Sequence, residues 1–449
     1  MDIIVTLFKA KCKRFPVWSG GFPGMLTTAE YIEKTGGTGR LPGKREEDTM
    51  ELLTALGTRE GAFEPFERLI RYNEHAAGAE LTCRNAVEIF TDGRGLYEDL
   101  AGAIANAGEY IHILSYIIRR DEVFAALEEM LEQKVREGVK VRILADALGS
   151  RALRPSDIIR LRRKGIQVNG FFSSFPGSLR SRINCRNHRK VIVIDGRIGY
   201  VGGFNIGREY LGLDRRMGYW RDTHLKLQGS AVASLNHLFL ADWKAAAREN
   251  LPDAKQDLLP GDKACADRVP VQIVSSGPDS RWQNIRNNYL MLFQTARKRL
   301  YIQTPYFIPD ETMVQELRMA ALSGVDVRLM IPCKPDHPLV YRATCSYIGD
   351  MLEAGVKCYR YDRGFLHAKS VVADGLAVCC GTANMDICSF RLNYEVNATI
   401  YDPATAGKME EIFLRDLKSC TEITKEGYGK RRSCLRMKEQ VSRLFSPFL

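Results

Sequence analysis

The sequence predicts an α/β protein built from two similar α/β domains, related by a pseudo-two-fold axis, with an active site where they meet. Three observations lead there. First, the chain repeats itself. Tyr110-Ile111-His112-Ile113-Leu114-Ser115-Tyr116 is echoed by Leu300-Tyr301-Ile302-Gln303-Thr304-Pro305-Tyr306, Gly138-Val139-Lys140-Val141 by Gly324-Val325-Asp326-Val327, and Gly165-Ile166-Gln167-Val168 by Gly355-Val356-Lys357-Cys358, at nearly constant separation. So long a separation means duplication of a whole domain, not a solenoid of short repeats. Second, each half alternates short β-branched runs with helical periodicity. Third, one compact polar motif closes each half.

Taken in order, residues 1–80 read as irregular, with Gly36-Gly37-Thr38-Gly39 and the charge run 44–48 as loop or linker. The first half spans 81–250. Val123, Leu127, Leu131 and Val135 recur at helical spacing, and Gly138 follows as a stop. The junction falls at 250–268, where Pro252-Asp253 and Pro260-Gly261-Asp262 break the pattern. The second half, 268–449, has Asp310 placed to cap a helix carrying Met313, Leu317 and Ala321, with Gly324 at its end. This βαβ order predicts a largely parallel sheet covered on both faces.

Bulk properties narrow the class. The formal net charge is +11, which suits a polyanionic partner such as a phosphate-bearing substrate, an anionic membrane or a nucleic acid, although simple solubility explains it equally well. The 12 cysteines are scattered, with no CxxC and no cluster at zinc spacing, and read as reduced thiols of a cytosolic compartment. No run approaches the roughly 18 apolar residues of a membrane span.

The chemistry lies in the doubled motif. His188-Arg189-Lys190 runs through Val191 to Ile194 and Asp195, then Gly202-Gly203-Phe204-Asn205; His367-Ala368-Lys369 runs through Ser370 to Ala373 and Asp374, then Gly381-Thr382-Ala383-Asn384. Residues two apart on a strand share a face, so each lysine converges with its histidine and supplies positive charge for a phosphoryl oxygen. The glycine turn brings Asn205 and Asn384 close to a ligand. Two histidines match the two jobs of displacement at phosphorus, attack and protonation of the leaving oxygen. A lone HxK is usually structural; two full copies at matching places are not.

This pair resembles the double HKD motif of the phospholipase D superfamily. Trp220-Arg221-Asp222-Thr223-His224, Pro335-Asp336-His337-Pro338, Gly381-Thr382-Ala383-Asn384-Met385-Asp386, Asn393-Tyr394-Glu395-Val396-Asn397 and the tail Ser442-Arg443-Leu444-Phe445-Ser446-Pro447 resemble bacterial cardiolipin synthases in particular, over about residues 65–449. The resemblance implies a phosphatidyltransferase that converts two phosphatidylglycerol molecules into cardiolipin and glycerol through a phosphohistidine, with no metal or cofactor. It implies His188 as nucleophile and His367 as general acid, then base. Lys190, Lys369, Asn205 and Asn384 would hold the phosphoryl oxygens. Asp195 and Asp374 count among the catalytic candidates as the motif's third letter, while their place before Gly196 and Gly375 reads as a strand-end turn. Asp222 and Glu395, at matching places after the two motifs, are expected to orient the histidines. Two departures stand out: many such synthases begin with two transmembrane segments, and many superfamily members carry Ser where this chain has Gly203.

The remaining histidines read plainly. His112 is a core histidine, His75 a surface one, His337 part of a Pro-flanked loop, and His224 and His237 are assigned no role. Within the superfamily the competing reading is a phosphodiesterase acting on phospholipid or nucleic acid, but no aromatic-interleaved basic stripe or nucleic-acid module is visible. The expected partners are phosphatidylglycerol and an anionic membrane surface on the cytoplasmic face. Contact with that surface is expected from the start of the chain (Ile3, Ile4, Leu7, Phe8 beside Lys9, Lys11, Lys13, Arg14) and from the basic stretch 151–186.

Overall fold

A computed structural model of the chain describes residues 64–171, 185–247 and 268–448. The first half contributes β1 (Asn85–Phe90), β2 (Tyr110–Ser115), β3 (Lys140–Asp146), β4 (Gln167–Phe171), β5 (Val191–Ile194), β6 (Ile198–Gly202), β7 (Tyr219–Arg221) and β8 (His224–Gly229). All but β7 form one sheet in the order β1-β8-β6-β5-β2-β3-β4. The second half contributes β9 (Val271–Ser276), β10 (Arg299–Gln303), β11 (Phe307–Ile308), β12 (Asp326–Pro332), β13 (Lys357–Tyr361), β14 (Gly364–Leu366), β15 (Ser370–Ala373), β16 (Ala377–Gly381), β17 (Met385–Asp386), β18 (Glu395–Ile400) and β19 (Cys420–Ile423). Its sheet runs β9-β18-β16-β15-β10-β12-β13-β19, the first order repeated with one strand added.

The sheets are mixed rather than largely parallel. Within these two sheets only β2-β3-β4 and β10-β12-β13 pair in parallel; β5, β6, β8 and β1, and their counterparts β15, β16, β18 and β9, are antiparallel. The reason lies in the motif itself. Asp195 and Asp374 adopt φ 52° and 56°, and the glycines after them φ 62° and 68°. Two successive residues in the left-handed region make a tight hairpin turn, which returns the chain antiparallel beside the motif strand.

The helices follow the expected signals. In chain order they are α1 (Glu67–Ala77), α2 (Gly93–Ala105), α3 (Glu122–Arg136), α4 (Pro155–Arg163), α5 (Ala231–Ala247), α6 (Asn284–Thr295), α7 (Glu311–Leu322), α8 (Pro338–Glu353), α9 (Ile387–Arg391), α10 (Pro403–Leu417), α11 (Lys425–Gly429) and α12 (Ser433–Arg443). Asp121 caps α3 by accepting from the Val123 and Phe124 amides, and Asp310 caps α7 by accepting from Met313. One correction concerns the start: residues 67–77, read as irregular, are helical. Phe66, Leu69 and Ile70 bury against α6 and β9 of the second half, so α1 is held by tertiary packing that the local sequence does not advertise.

Alternation along the strands divides the core. Outer faces pack on their own half's helices, while Val191, Val193, Leu225, Leu235, Phe239 and Trp243 of the first half join Val372, Val378, Val396, Met409 and Phe413 of the second in one shared apolar cluster. His112 sits in this layer, stacked on Phe239 at 4.4 Å with Nδ1 2.8 Å from Asn236 Oδ1, and burial pushes its pKa down to about 3. It is a neutral core histidine. Among the described residues no helix is long and apolar enough to cross a membrane.

Candidate active site

The halves exchange backbone at the motifs. β14, leading into His367, pairs in parallel with β7, and Asn187, just before His188, bridges Tyr394 in the same sense. The His367 amide donates to the Arg221 carbonyl at 2.7 Å, and the His188 amide to the Tyr394 carbonyl at 2.9 Å. In each case the acceptor residue directly precedes a candidate orienting carboxylate. The carboxylates are therefore delivered crosswise. His188 Nδ1 lies 3.0 Å from both carboxylate oxygens of Glu395, and His367 Nδ1 2.6 Å from Asp222 Oδ2. Two buried arginines pin the exchange. Arg189 bonds Asp242 on its own half and the Glu395 and Ser276 carbonyls on the other; Arg221 pairs with Asp416 of the second half at 2.7 Å.

Electrostatics follow from burial. Both histidines are pushed below the ordinary imidazole range by loss of water, His367 to about 4, with the Lys369 ammonium adding to the shift. Glu395 and Asp222 are held below the usual carboxylate range; their partner cations outweigh the burial that opposes ionisation. With an anionic carboxylate on Nδ1, that nitrogen carries the proton and Nε2 is left with a free lone pair. Lys190 Nζ donates to the His188 carbonyl at 2.6 Å, and Lys369 donates to the His367 carbonyl in the same manner. Burial lowers these ammoniums to about 7 and about 8, and the two carboxylates pull back against it. Two buried ammoniums beside two imidazoles form a receptor for a phosphodiester anion.

The other candidates divide. Asn205 is spoken for by its own half, its Oδ1 accepting from the Ile117 amide at 3.0 Å and its Nδ2 donating to the Tyr210 hydroxyl at 2.9 Å. Asn384 is buried with its side chain hydrogen-bonded to Asp386 and its Oδ1 unpartnered among the described residues; that oxygen accepts, so it suits a hydroxyl rather than a phosphoryl oxygen. Asp195 and Asp374 point away from the chemistry. Asp195 accepts from the amides of Gly108, Glu109 and Tyr110 at 2.7–2.8 Å, and Asp374 from those of Arg297, Lys298 and Arg299 at 2.7–2.9 Å. Each ties its hairpin turn to the start of the neighbouring strand, the turn role rather than a catalytic one.

Sequence reasoning missed several contributors. Tyr116 lies edge-on to His188 at 4.8 Å and under Lys190, and Trp220 lies 5.2 Å from His367. Tyr306 donates to Asp336, whose carboxylate acts electrostatically on His367 and Lys369. The echo of Tyr116 by Tyr306 in the repeat was the available signal. Thr382 Oγ1 donates to Glu395 Oε2 at 2.5 Å. At its counterpart, Gly203, a Cβ would overlap the Asp222 carboxylate, which explains the absence of Ser there. Among the described residues no His, Cys, Asp and Glu cluster suits a metal.

Comparison with known proteins identifies the family. The family described as "Cardiolipin synthase, PLD-like domain" matches residues 100–243 and 289–417. A cardiolipin synthase of Listeria monocytogenes is 47% identical over 372 residues, 83% of this chain and 77% of the relative. The major cardiolipin synthase ClsA of Bacillus subtilis is 48% identical over 377 residues, 84% of this chain and 77% of that one. The chain belongs to the cardiolipin synthase family. It is a phosphatidyltransferase of the phospholipase D superfamily, and the two matched stretches carry the two motifs. A phosphatidylserine synthase from Haemophilus influenzae shares the fold at a TM-score of 0.64 and 17% identity, covering 85% of this chain and all of that one.

Of the surfaces expected to meet the membrane, residues 1–14 and 172–184 lie outside the described residues. In the remainder of the basic stretch, Arg160 and Lys164 pair with Glu128 and Glu132 of α3.

Proposed function

We propose that this chain joins two phosphatidylglycerol molecules into cardiolipin and glycerol, working peripherally at an anionic membrane on the cytoplasmic face, with residues 81–250 and 268–449 as its two catalytic halves. The reading is carried by one observation: two buried histidines, each with Nδ1 on a carboxylate of the opposite half and a lysine beside it.

The steps follow from that geometry. Nε2 of His188 attacks phosphorus of the first lipid. The bond from phosphorus to the glycerol headgroup oxygen breaks, and His367 gives that oxygen its Nε2 proton. His367 reaches this protonated form once the phosphodiester anion is bound, because the added negative charge raises the depressed imidazole. Neutral His367 then takes the proton from a glycerol hydroxyl of the second lipid. That oxygen attacks phosphorus, the P–N bond breaks, and cardiolipin leaves. Glu395 and Asp222 stabilise each imidazolium as it forms, and Lys190 and Lys369 hold the non-bridging oxygens.

The test is incubation of purified protein with labelled phosphatidylglycerol, with and without EDTA. Cardiolipin and glycerol in equal amounts, undiminished by chelator, are expected. Phosphatidate as main product would assign hydrolysis instead, and cleavage of single-stranded DNA without lipid turnover would overturn the lipid reading.

A further inference from the structure

The helix α12 is mounted with its apolar side outward. Its buried residues are Glu439 and Ser442, 3% and 2% exposed, whereas Met437, Val441 and Leu444 are 64%, 49% and 77% exposed. Those three share one face at helical spacing, with Cys434, also exposed, on the same stripe. The helix is held by polar contacts: Arg431 to Glu439 at 2.7 Å, Arg443 to Asp350 at 2.7 Å and over the Tyr347 ring at 4.1 Å, and the Tyr347 hydroxyl to Ser446 at 3.1 Å. A surface helix normally spends its apolar side on the core, so one fixed the other way round presents that side to something else.

Charge identifies the occupant. Residues 425–449 contain seven basic and two acidic side chains, and Arg436 and Lys438 border the stripe, both exposed. A second copy would bring the same basic surface against itself, which like-charge repulsion opposes. An anionic bilayer satisfies both features at once. The location fits as well. α8, on which α12 packs, begins just after Asp336 at the site, with Leu339 exposed in its first turn, and the turn 446–448 packs on α9, which follows Asn384 and Asp386.

We infer that the outward stripe formed by Met437 and Val441 of α12 and Leu444 at its C-terminal end, bordered by Arg436 and Lys438, is the surface that seats this protein on an anionic phospholipid bilayer. The inference rests on the lipid-substrate reading above and specifies where the membrane is met.

The test uses the full chain, a Met437→Asp/Val441→Asp/Leu444→Asp variant and an Arg436→Glu/Lys438→Glu variant. Each is sedimented with phosphatidylglycerol vesicles and with phosphatidylcholine vesicles at low and high salt, and assayed on monomeric short-chain phosphatidylglycerol. The wild type is expected to bind the anionic vesicles in a salt-sensitive way. Both variants should lose binding about tenfold or more, since apolar insertion and charge attraction act together. Short-chain turnover should stay within about twofold, because neither set touches the site. Vesicle binding by both variants equal to wild type would overturn the surface, as would loss of a wild-type dimer in the triple variant with vesicle binding intact. A wild type that binds vesicles through this stripe but turns over no short-chain lipid would overturn the catalytic reading and support the surface alone.

Discussion

The two histidine–carboxylate pairs are built to one plan and differ in their fittings. His188 faces a glutamate whose longer arm is steadied by the Thr382 hydroxyl. His367 faces an aspartate with no such hydroxyl, its carboxylate accepting instead from the Thr223 amide at 2.8 Å and the Trp220 indole and packed against Gly203, and has Lys369 Nζ 2.9 Å from the same ring nitrogen. The longer acid comes with a threonine and the shorter one with a glycine. The comparison teaches that the carboxylate and the residue after the motif's first glycine are one unit, so neither is free to vary alone. It also bears on roles. Lys369 crowds a positive charge against His367 and makes its imidazolium the harder to form, a ring that yields a proton readily once it has one.

The largest effect should come from breaking either pair at the histidine. His188→Ala and His367→Ala should each lower turnover, the acid–base residue by about 10²–10⁴-fold and the nucleophile by more. Trapping separates them. With a phosphodiester whose leaving group needs no protonation, His367→Ala should still accumulate label on the protein and His188→Ala should not. Label retained by His188→Ala would reverse the assignment.

The fittings themselves come next. Gly203→Thr should push Asp222 off His367 and cost about 10- to 100-fold in turnover, as loss of an orienting partner commonly does. Thr382→Ala removes one hydrogen bond to an ionised group, about 1.5–3 kcal/mol; with His188 still holding Glu395, about half of that should reach turnover, a cost of about 3- to 10-fold. Equal losses in the two variants would show that the carboxylates are held otherwise.

The lysines give a smaller, graded effect. Both must be ammonium to receive a phosphate, and their depressed values of about 7 and about 8 mean that this charge is lost as pH rises. kcat/KM, which reports the free enzyme, should therefore fall on the alkaline side between those values. A profile flat to pH 9 would mean that neither lysine's charge governs binding.

The smallest effect on turnover should come from the turns. Asp195→Asn and Asp374→Asn each weaken three matched amide contacts, so thermal unfolding should show similar losses of about 1–3 kcal/mol each, with kcat unchanged. A large fall in kcat would return these aspartates to the chemistry.

Much of this was legible in the sequence, and the failures have physical causes. The doubled histidine and lysine were plain because strand alternation fixes which residues share a face, whereas the asparagines differ: Asn205 is engaged within its own half. The turn role of Asp195 and Asp374 was plain because aspartate before glycine is a local signal. The crosswise delivery of Asp222 and Glu395 was not, because matching positions in a repeat do not say which half a side chain crosses into. α1 was invisible for a similar reason: its stability comes from α6 and β9, about two hundred residues away in the chain. The parallel bias of the predicted sheets arose from counting βαβ units without following the hairpins made by the motifs.

The exchange of backbone between β7 and β14, and between Asn187 and Tyr394, has a bearing on ancestry. A lone half with this geometry owns a histidine and a carboxylate that never meet each other; its reactive centre exists only when a second half is present. A forebear encoding one half would have worked solely as a symmetric pair, with every substitution appearing on both sides at once. Joining two copies in one chain would end that constraint, leaving each side free to carry its own combination, Asp with Gly on one and Glu with Thr on the other.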